Sequence, residues 1–145
     1  MPDSSDIDAA LVGTLAADAA LGQLCPNGVY VDEAPPGSTR FVIVSLVDED
    51  DVGMFGGRAF EDALVQIEAR MLSTVAGANP KAAAARIDAL LDPQPPLPPA
   101  TLTVEGYAGM ALHRESRIRT TEVDDADPSI RWYRRGGRYR VVMST

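Results

Sequence analysis

The chain has 145 residues, 46% of them hydrophobic, and a net charge of −8 at pH 7. That length reads as one domain, 1–145, able to bury roughly two-thirds of its unfolded surface without a metal or disulfide. Cys25 is the sole cysteine, so no intrachain disulfide can form. The opening MPDSSDID is acidic and unlike a signal peptide, and no apolar run approaches the roughly 20 residues of a membrane span. These features point to a soluble protein of a reducing compartment, with no membrane partner.

The first segment, Ser5-Asp6-Ile7-Asp8, has the spacing of a capping box with Asp in place of Glu. Ile7, Leu11 and Leu15 then recur at one helical face, which predicts a helix from about Asp6 to Leu21, stopped at Gly22. Asp18 is expected near the rim of that stripe. Cys25-Pro26-Asn27-Gly28 is a turn, Val29-Tyr30-Val31 a short strand, and Glu33 to Ser38 a proline-containing loop.

Phe41 to Val47 is apolar and β-branched, as a strand buried on both faces would be. Asp48, Glu49, Asp50 and Asp51 follow, then Gly53, Gly56 and Gly57; the segment reads as a solvated loop. Residues 60–72 fit a helix face through Phe60, Leu64, Ile67 and Met71. They also alternate as a strand through Val65, Ile67, Ala69 and Met71, and the strand is preferred. The result is a long β-hairpin with an acidic, glycine-rich tip.

Asn79-Pro80 opens a second helix, with Asn79 as cap and Pro80 in the first turn. Ala83, Ile87, Leu90 and Leu91 form its buried stripe, and Lys81, Arg86 and Asp88 are expected to face outward. Asp92-Pro93 ends it, and Pro95 to Pro99 is a stiff connector. Thr101 to Thr121 holds one or two strands, interrupted at Gly106 or Gly109, with a wet face of His113, Glu115, Arg117 and Arg119. Ile130, Trp132, Tyr139, Val141 and Met143 supply a last strand or hairpin, with Gly136-Gly137 read as its turn or bulge. The fold expected is α+β: a single antiparallel or mixed sheet with two helices packed on one face.

Charge is unevenly placed. Residues 1–100 hold 15 acidic and 5 basic side chains, whereas residues 101–145 hold 6 acidic and 8 basic, every basic one an arginine. The arginine bias fits a GC-rich coding sequence; it also fits guanidinium forks that pair with carboxylates on a neighbouring copy. The acidic total argues against nonspecific nucleic-acid binding, which needs cations to displace counterions.

No catalytic constellation emerges. His113 sits alone in an arginine-rich strand, and Cys25 lies in a turn with no partner fixed by spacing. The Asp48–Asp51 cluster lacks the spacing of a calcium loop. Phe55-Gly56-Gly57-Arg58 lacks the lysine and hydroxyl of a phosphate loop. Arg134-Arg135-Gly136-Gly137-Arg138 does not repeat as an RGG box would.

Several segments in order resemble a known family: the alanine-rich helix Ile7–Leu21, Val29-Tyr30-Val31-Asp32-Glu33-Ala34-Pro35, the strand Phe41–Val47, the strand Ala63–Met71, the helix Ala82–Leu91, and Trp132…Gly137-Arg138-Tyr139-Arg140-Val141-Val142. This order is similar to the tail terminator, or tail-completion, proteins of long-tailed bacteriophages and gene transfer agents, including the terminator of phage lambda. The resemblance implies a strand over residues 60–72. It implies a hexameric ring of identical copies that caps the tail tube and joins the neck or head–tail connector. Such a protein is no enzyme, needs no cofactor, assembles in the host cytoplasm, ends in the virion and lets DNA pass through its lumen. Candidate contacts between subunits, or with lumen and tube, are Asp48, Glu49, Asp50, Asp51, Phe55 and Arg58. In the arginine-rich third they are Arg114, Arg117, Arg119, Arg134, Arg135 and Arg138. A tube subunit or another neck ring, and more remotely a small ligand-binding module or enzyme, are the alternatives.

Overall fold

A computed structural model describes residues 4–54, 57–98, 100, 102–107 and 109–144. In chain order it contains α1 (Ser4–Ala16), α2 (Ala19–Leu24), β1 (Val29–Val31), β2 (Arg40–Met54), β3 (Gly57–Leu72), α3 (Pro80–Leu91), β4 (Gly109–Val123) and β5 (Arg131–Ser144). The fold is α+β. One mixed sheet has the order β1-β2-β3-β5-β4; β1 runs parallel to β2 and every other pair is antiparallel.

The period-2 pattern of residues 60–72 governs β3, where Ala63, Val65, Ile67, Ala69 and Met71 are all fully buried. They join Val42 and Val44 of β2 and Tyr139, Val141 and Met143 of β5 to form the inner face of the sheet. Ile7, Leu11 and Leu15 of α1, Leu21 of α2, and Ala83, Ile87 and Leu91 of α3 pack onto that face. Leu102 and Val104, in the connector before β4, close the same core. Phe41 to Val44 are buried on both faces of β2, whereas Leu46 and Val47, expected to be buried with them, are exposed.

The helix expected over residues 6–21 is two helices. Asp18 takes an extended conformation and its carboxylate accepts from the N–H of Leu21 at 2.9 Å, capping α2. It also accepts two hydrogen bonds from Arg86 of α3, at 2.8 and 2.6 Å. Continuing α1 through Asp18 would forfeit that cap and pair, so the chain breaks there, and Gly22 lies inside α2 rather than ending α1. Arg86 therefore bridges elements instead of facing outward. Its guanidinium, the largest influence, holds the Asp18 carboxyl at about 2, below the ordinary 3.8. Replacing Asp18 with alanine is expected to cost about 2 kcal/mol at pH 7, a lost cap plus a half-exposed ion pair. Because the folded-state pKa is depressed, the wild-type advantage is complete above pH 3.8 and is lost as pH falls toward about 2. Urea unfolding of both chains at pH 7, 4 and 3 checks this; a gap that stays constant at pH 3 contradicts it.

The acidic run is also not a loop. Asp48 to Asp51 continue β2, registered against Leu64, Ala63, Asp62 and Glu61 of β3 after a bulge at Val47. Pairing with β3 satisfies the backbone here, so composition alone misplaced the strand's end. The connection between Met54 and Gly57, which includes Phe55, lies outside the described residues.

Gly136 and Gly137 are neither turn nor bulge. They sit mid-strand in β5, opposite Glu68 and Ile67 on one side and Ile118 and Arg117 on the other. A Cβ on Gly136 would fall 1.9 Å from the Ile67 carbonyl oxygen, and one on Gly137 would fall 2.8 Å from that of Ser116. Glycine is required here by the close approach of neighbouring backbones. Three other expectations hold. Asn79 caps α3 through the N–H of Ala82, Pro80 occupies the first turn, and Asp92 ends the helix.

Candidate functional site

Alternation along the strands sorts the polar residues onto two surfaces. On the face away from the helices, Glu68 is only 1% exposed. Its carboxylate accepts from Arg70 Nε at 2.8 Å and from Arg134 Nε and Nη2 at 3.1 and 2.9 Å. Arg134 also reaches Glu122 across the β4–β5 pair. Further along the same face Arg138 donates to Gln66 at 3.3 Å. Arg140 bridges Asp62 at 2.6 Å and Glu115 at 2.5 Å. Those bonds lower the Glu115 carboxyl and raise the Arg140 guanidinium. Phe41 and Trp132 meet edge to face at 5.9 Å at the end of this surface.

On the helix side, Asp88 of α3 turns toward the sheet. It pairs with Arg114 at 2.5 Å and accepts from the hydroxyl of Tyr139 at 3.1 Å. Burial, the largest influence, pushes the Tyr139 phenol upward. The expectation that Asp88 faces solvent is thus corrected: a carboxylate one turn from the end of α3 satisfies a buried tyrosine and ties down β4. Beside it, Lys81, Arg117, Arg119 and Arg135 line a cleft of about 510 Å³ between α3 and the β4–β5 pair.

The arginines singled out in the sequence therefore divide. Arg114, Arg134 and Arg138 bond within the chain, whereas Arg117, Arg119 and Arg135 remain as cleft cations. The carboxylates Asp48, Glu49, Asp50 and Asp51 lie on the far half of β2. Arg58 is registered against Gly53 near the hairpin end of β3. Glu68, Arg140 and Asp88 were not anticipated as organising residues. The alternation of β3 places Glu68 on the face opposite Ile67, but nothing in the sequence shows that two guanidiniums cover it.

Chemistry is sparse. Cys25 is 2% exposed, and burial pushes its thiol up to about 11, which disfavours the reactive thiolate. His113 is exposed on β4. Among the described residues no group of three histidine, cysteine or carboxylate side chains could hold a metal ion, and no helix is long and apolar enough to cross a membrane. The most developed surfaces are charged sheet faces and edges, suited to contact with other macromolecules.

No protein-family model matches the sequence, and no curated protein matches it. Among solved structures, the chain is similar to a polypeptide in the virion of the native gene transfer agent particle. The two share 28% identity over 98% of this chain and 97% of the other, with a TM-score of 0.58. The likeness thus reaches both sequence and fold over nearly the whole of each chain, and what it is a likeness to is a component of a gene transfer agent virion.

Proposed function

We propose that this chain is a structural protein of a phage-like particle, a single domain over residues 1–145, and that its place there is the tail terminator. In this reading identical copies form a ring, a hexamer, that caps the finished tail tube and joins it to the neck or head–tail connector. Assembly takes place in the host cytoplasm, the ring resides in the virion, and DNA crosses its lumen without specific binding. It performs no catalysis. The near full-length likeness to a gene transfer agent virion polypeptide carries the proposal. The sequence order of helix, strands and closing Arg-Tyr-Arg-Val segment, similar to terminators, supports the finer assignment.

A ring of identical copies needs two different surfaces that meet around a closed cycle. The sheet supplies two unlike edges: a cationic one at β4 and an acidic one along the far half of β2. An acidic chain of net charge −8 also suits a channel through which DNA must slide.

The test is the mass of the purified chain across a concentration series, by native mass spectrometry or light scattering, with and without tail tubes. A discrete hexamer, alone or on adding tubes, is expected. Open-ended polymers would instead identify a tube subunit. A monomer that ignores tubes at every concentration would overturn the virion assignment.

A further inference from the structure

Sorting the chain's cations by partner leaves one conspicuous excess. The cleft between α3 and the β4–β5 pair is lined by Lys81, Arg114, Arg117, Arg119 and Arg135, against a single carboxylate, Asp88. Asp88 is already held by Arg114 and the Tyr139 hydroxyl. Lys81, Arg117, Arg119 and Arg135 make no ion pair among the described residues. Elsewhere Arg70, Arg86, Arg134 and Arg140 are all paired. The strand registers sharpen the excess. Arg119 of β4 lies directly opposite Arg135 of β5, and Arg117 lies opposite Gly137, the next pair on the same face. Like charges directly opposite each other destabilise a strand pair. Lys81, in the first turn of α3, adds a further charge from the other wall.

An anion placed among these cations removes the repulsion, and phosphate is the chemistry that fits. Guanidinium forks take phosphate oxygens bidentately. A phosphate group presents oxygens on several sides, as cations approaching from two strands and a helix require. A carboxylate presents only two, both at one end. Arg117 and Arg119, as alternate residues of one strand, stand about 7 Å apart. That is close to the step between successive phosphates of a nucleic-acid strand. The cleft, at about 510 Å³, has room for more than one such group. The net charge of −8 does not forbid this at short range, because exposed charges beyond a Debye length, about 10 Å at 0.1 M salt, are largely screened.

We infer that the cleft is a phosphate-binding site, formed by Lys81, Arg117, Arg119 and Arg135, whose phosphate comes from a nucleic-acid backbone or from free inorganic phosphate. The inference goes beyond the ring reading and does not depend on it, since every wall of the site belongs to one copy. Contact of this kind reads charge and spacing, not base sequence. Arg134 and Arg140, already engaged on the opposite face, take no part.

The experiment adds two probes to the full chain at constant low ionic strength: inorganic phosphate, and single-stranded DNA of ~12 nucleotides. The melting temperature is expected to rise by about 4 °C at a tenfold excess of an effective probe over its Kd. Arg119→Gln with Arg135→Gln removes the opposed charges. Without probe this variant should melt at or above the parent temperature, and its probe affinity should fall at least ~10-fold. A merely structural role for the two arginines predicts the reverse, a lower melting temperature with the probe response retained, and that result overturns the site. Arg131→Gln, outside the cleft, should bind as the parent does; an equal loss there shows diffuse charge attraction and also overturns it. A response to DNA alone supports the site with a nucleic-acid backbone as its source, and a response to phosphate alone supports it with the free anion. No response to either probe overturns it, including the case where poly-glutamate stabilises the chain and the cleft takes an acidic protein segment instead. A chain that binds phosphate but never forms rings keeps this site and removes the ring reading.

Discussion

Gly136→Ala is expected to destabilise the chain by at least ~3 kcal/mol and lower its melting temperature by about 10 °C, in a protein of this size. The added methyl would lie 1.9 Å from the Ile67 carbonyl oxygen and 2.6 Å from Glu68 Cα. Both obstacles are backbone atoms of β3, which is hydrogen-bonded on its other side to β2, so neither can yield alone. Relief requires β5 to move away from β3, at the centre of the sheet. Gly137→Ala, with its nearest obstacle at 2.8 Å, should cost less. Gly13→Ala on α1 meets nothing within 4 Å and should leave stability unchanged or raise it by up to ~1 kcal/mol. Urea titration of the three variants ranks them; equal midpoints for Gly136→Ala and Gly13→Ala would contradict the close approach.

The second large effect belongs to Glu68. Alanine here is expected to cost about 3 kcal/mol, toward the low end for a broken buried ion pair. The reason is asymmetry. Glu68 is 1% exposed, whereas the side chains of Arg70 and Arg134 are 33% and 22% exposed. On losing the carboxylate, both guanidiniums turn partly to water rather than remaining stranded, which limits the penalty. Glu68→Gln keeps an acceptor in place and should cost less than alanine. High salt distinguishes this pair from its neighbours: 1 M NaCl screens the more exposed Arg140–Glu115 pair and leaves the covered Glu68 contacts nearly intact. Equal losses for glutamine and alanine would show that charge, not hydrogen bonding, dominates at this position.

Where one signal acted alone, the sequence was legible. Ala63 to Met71 alternate cleanly, and β3 places Ala63, Val65, Ile67, Ala69 and Met71 in the core as that alternation requires. Asn79-Pro80 and Asp92-Pro93 marked α3 to the residue, because caps and prolines act locally. Errors arose where a distant partner decided a local choice. Asp18 looked like one more residue of a long helix; Arg86, 68 positions away, makes it a cap between two helices. The Asp48–Asp51 run looked too polar for a strand, yet β3 was long enough to pair with it. Gly136-Gly137 carried a turn's composition but met a strand on each side. For the candidate surface, the arginine excess after residue 100 was visible in composition alone. Which arginines are engaged and which remain as cleft cations depended on the registers of β4 and β5, which no spacing along the chain encodes.

The position of β5 has a consequence for how copies come to exist. It follows β4 in the chain yet lies between β3 and β4. A nascent chain that has emerged only through Val123 can pair β2 with β3 but has no strand to join β3 to β4. One long, largely apolar edge of β3 then stays open, the kind of edge that invites misassociation. Arg135, Gly136 and Tyr139, which form part of the cleft wall, all belong to this late strand. Synthesis order thus sets when the surface is complete: a chain translated short of β5 lacks this wall of the cleft and leaves that side of β3 unpaired.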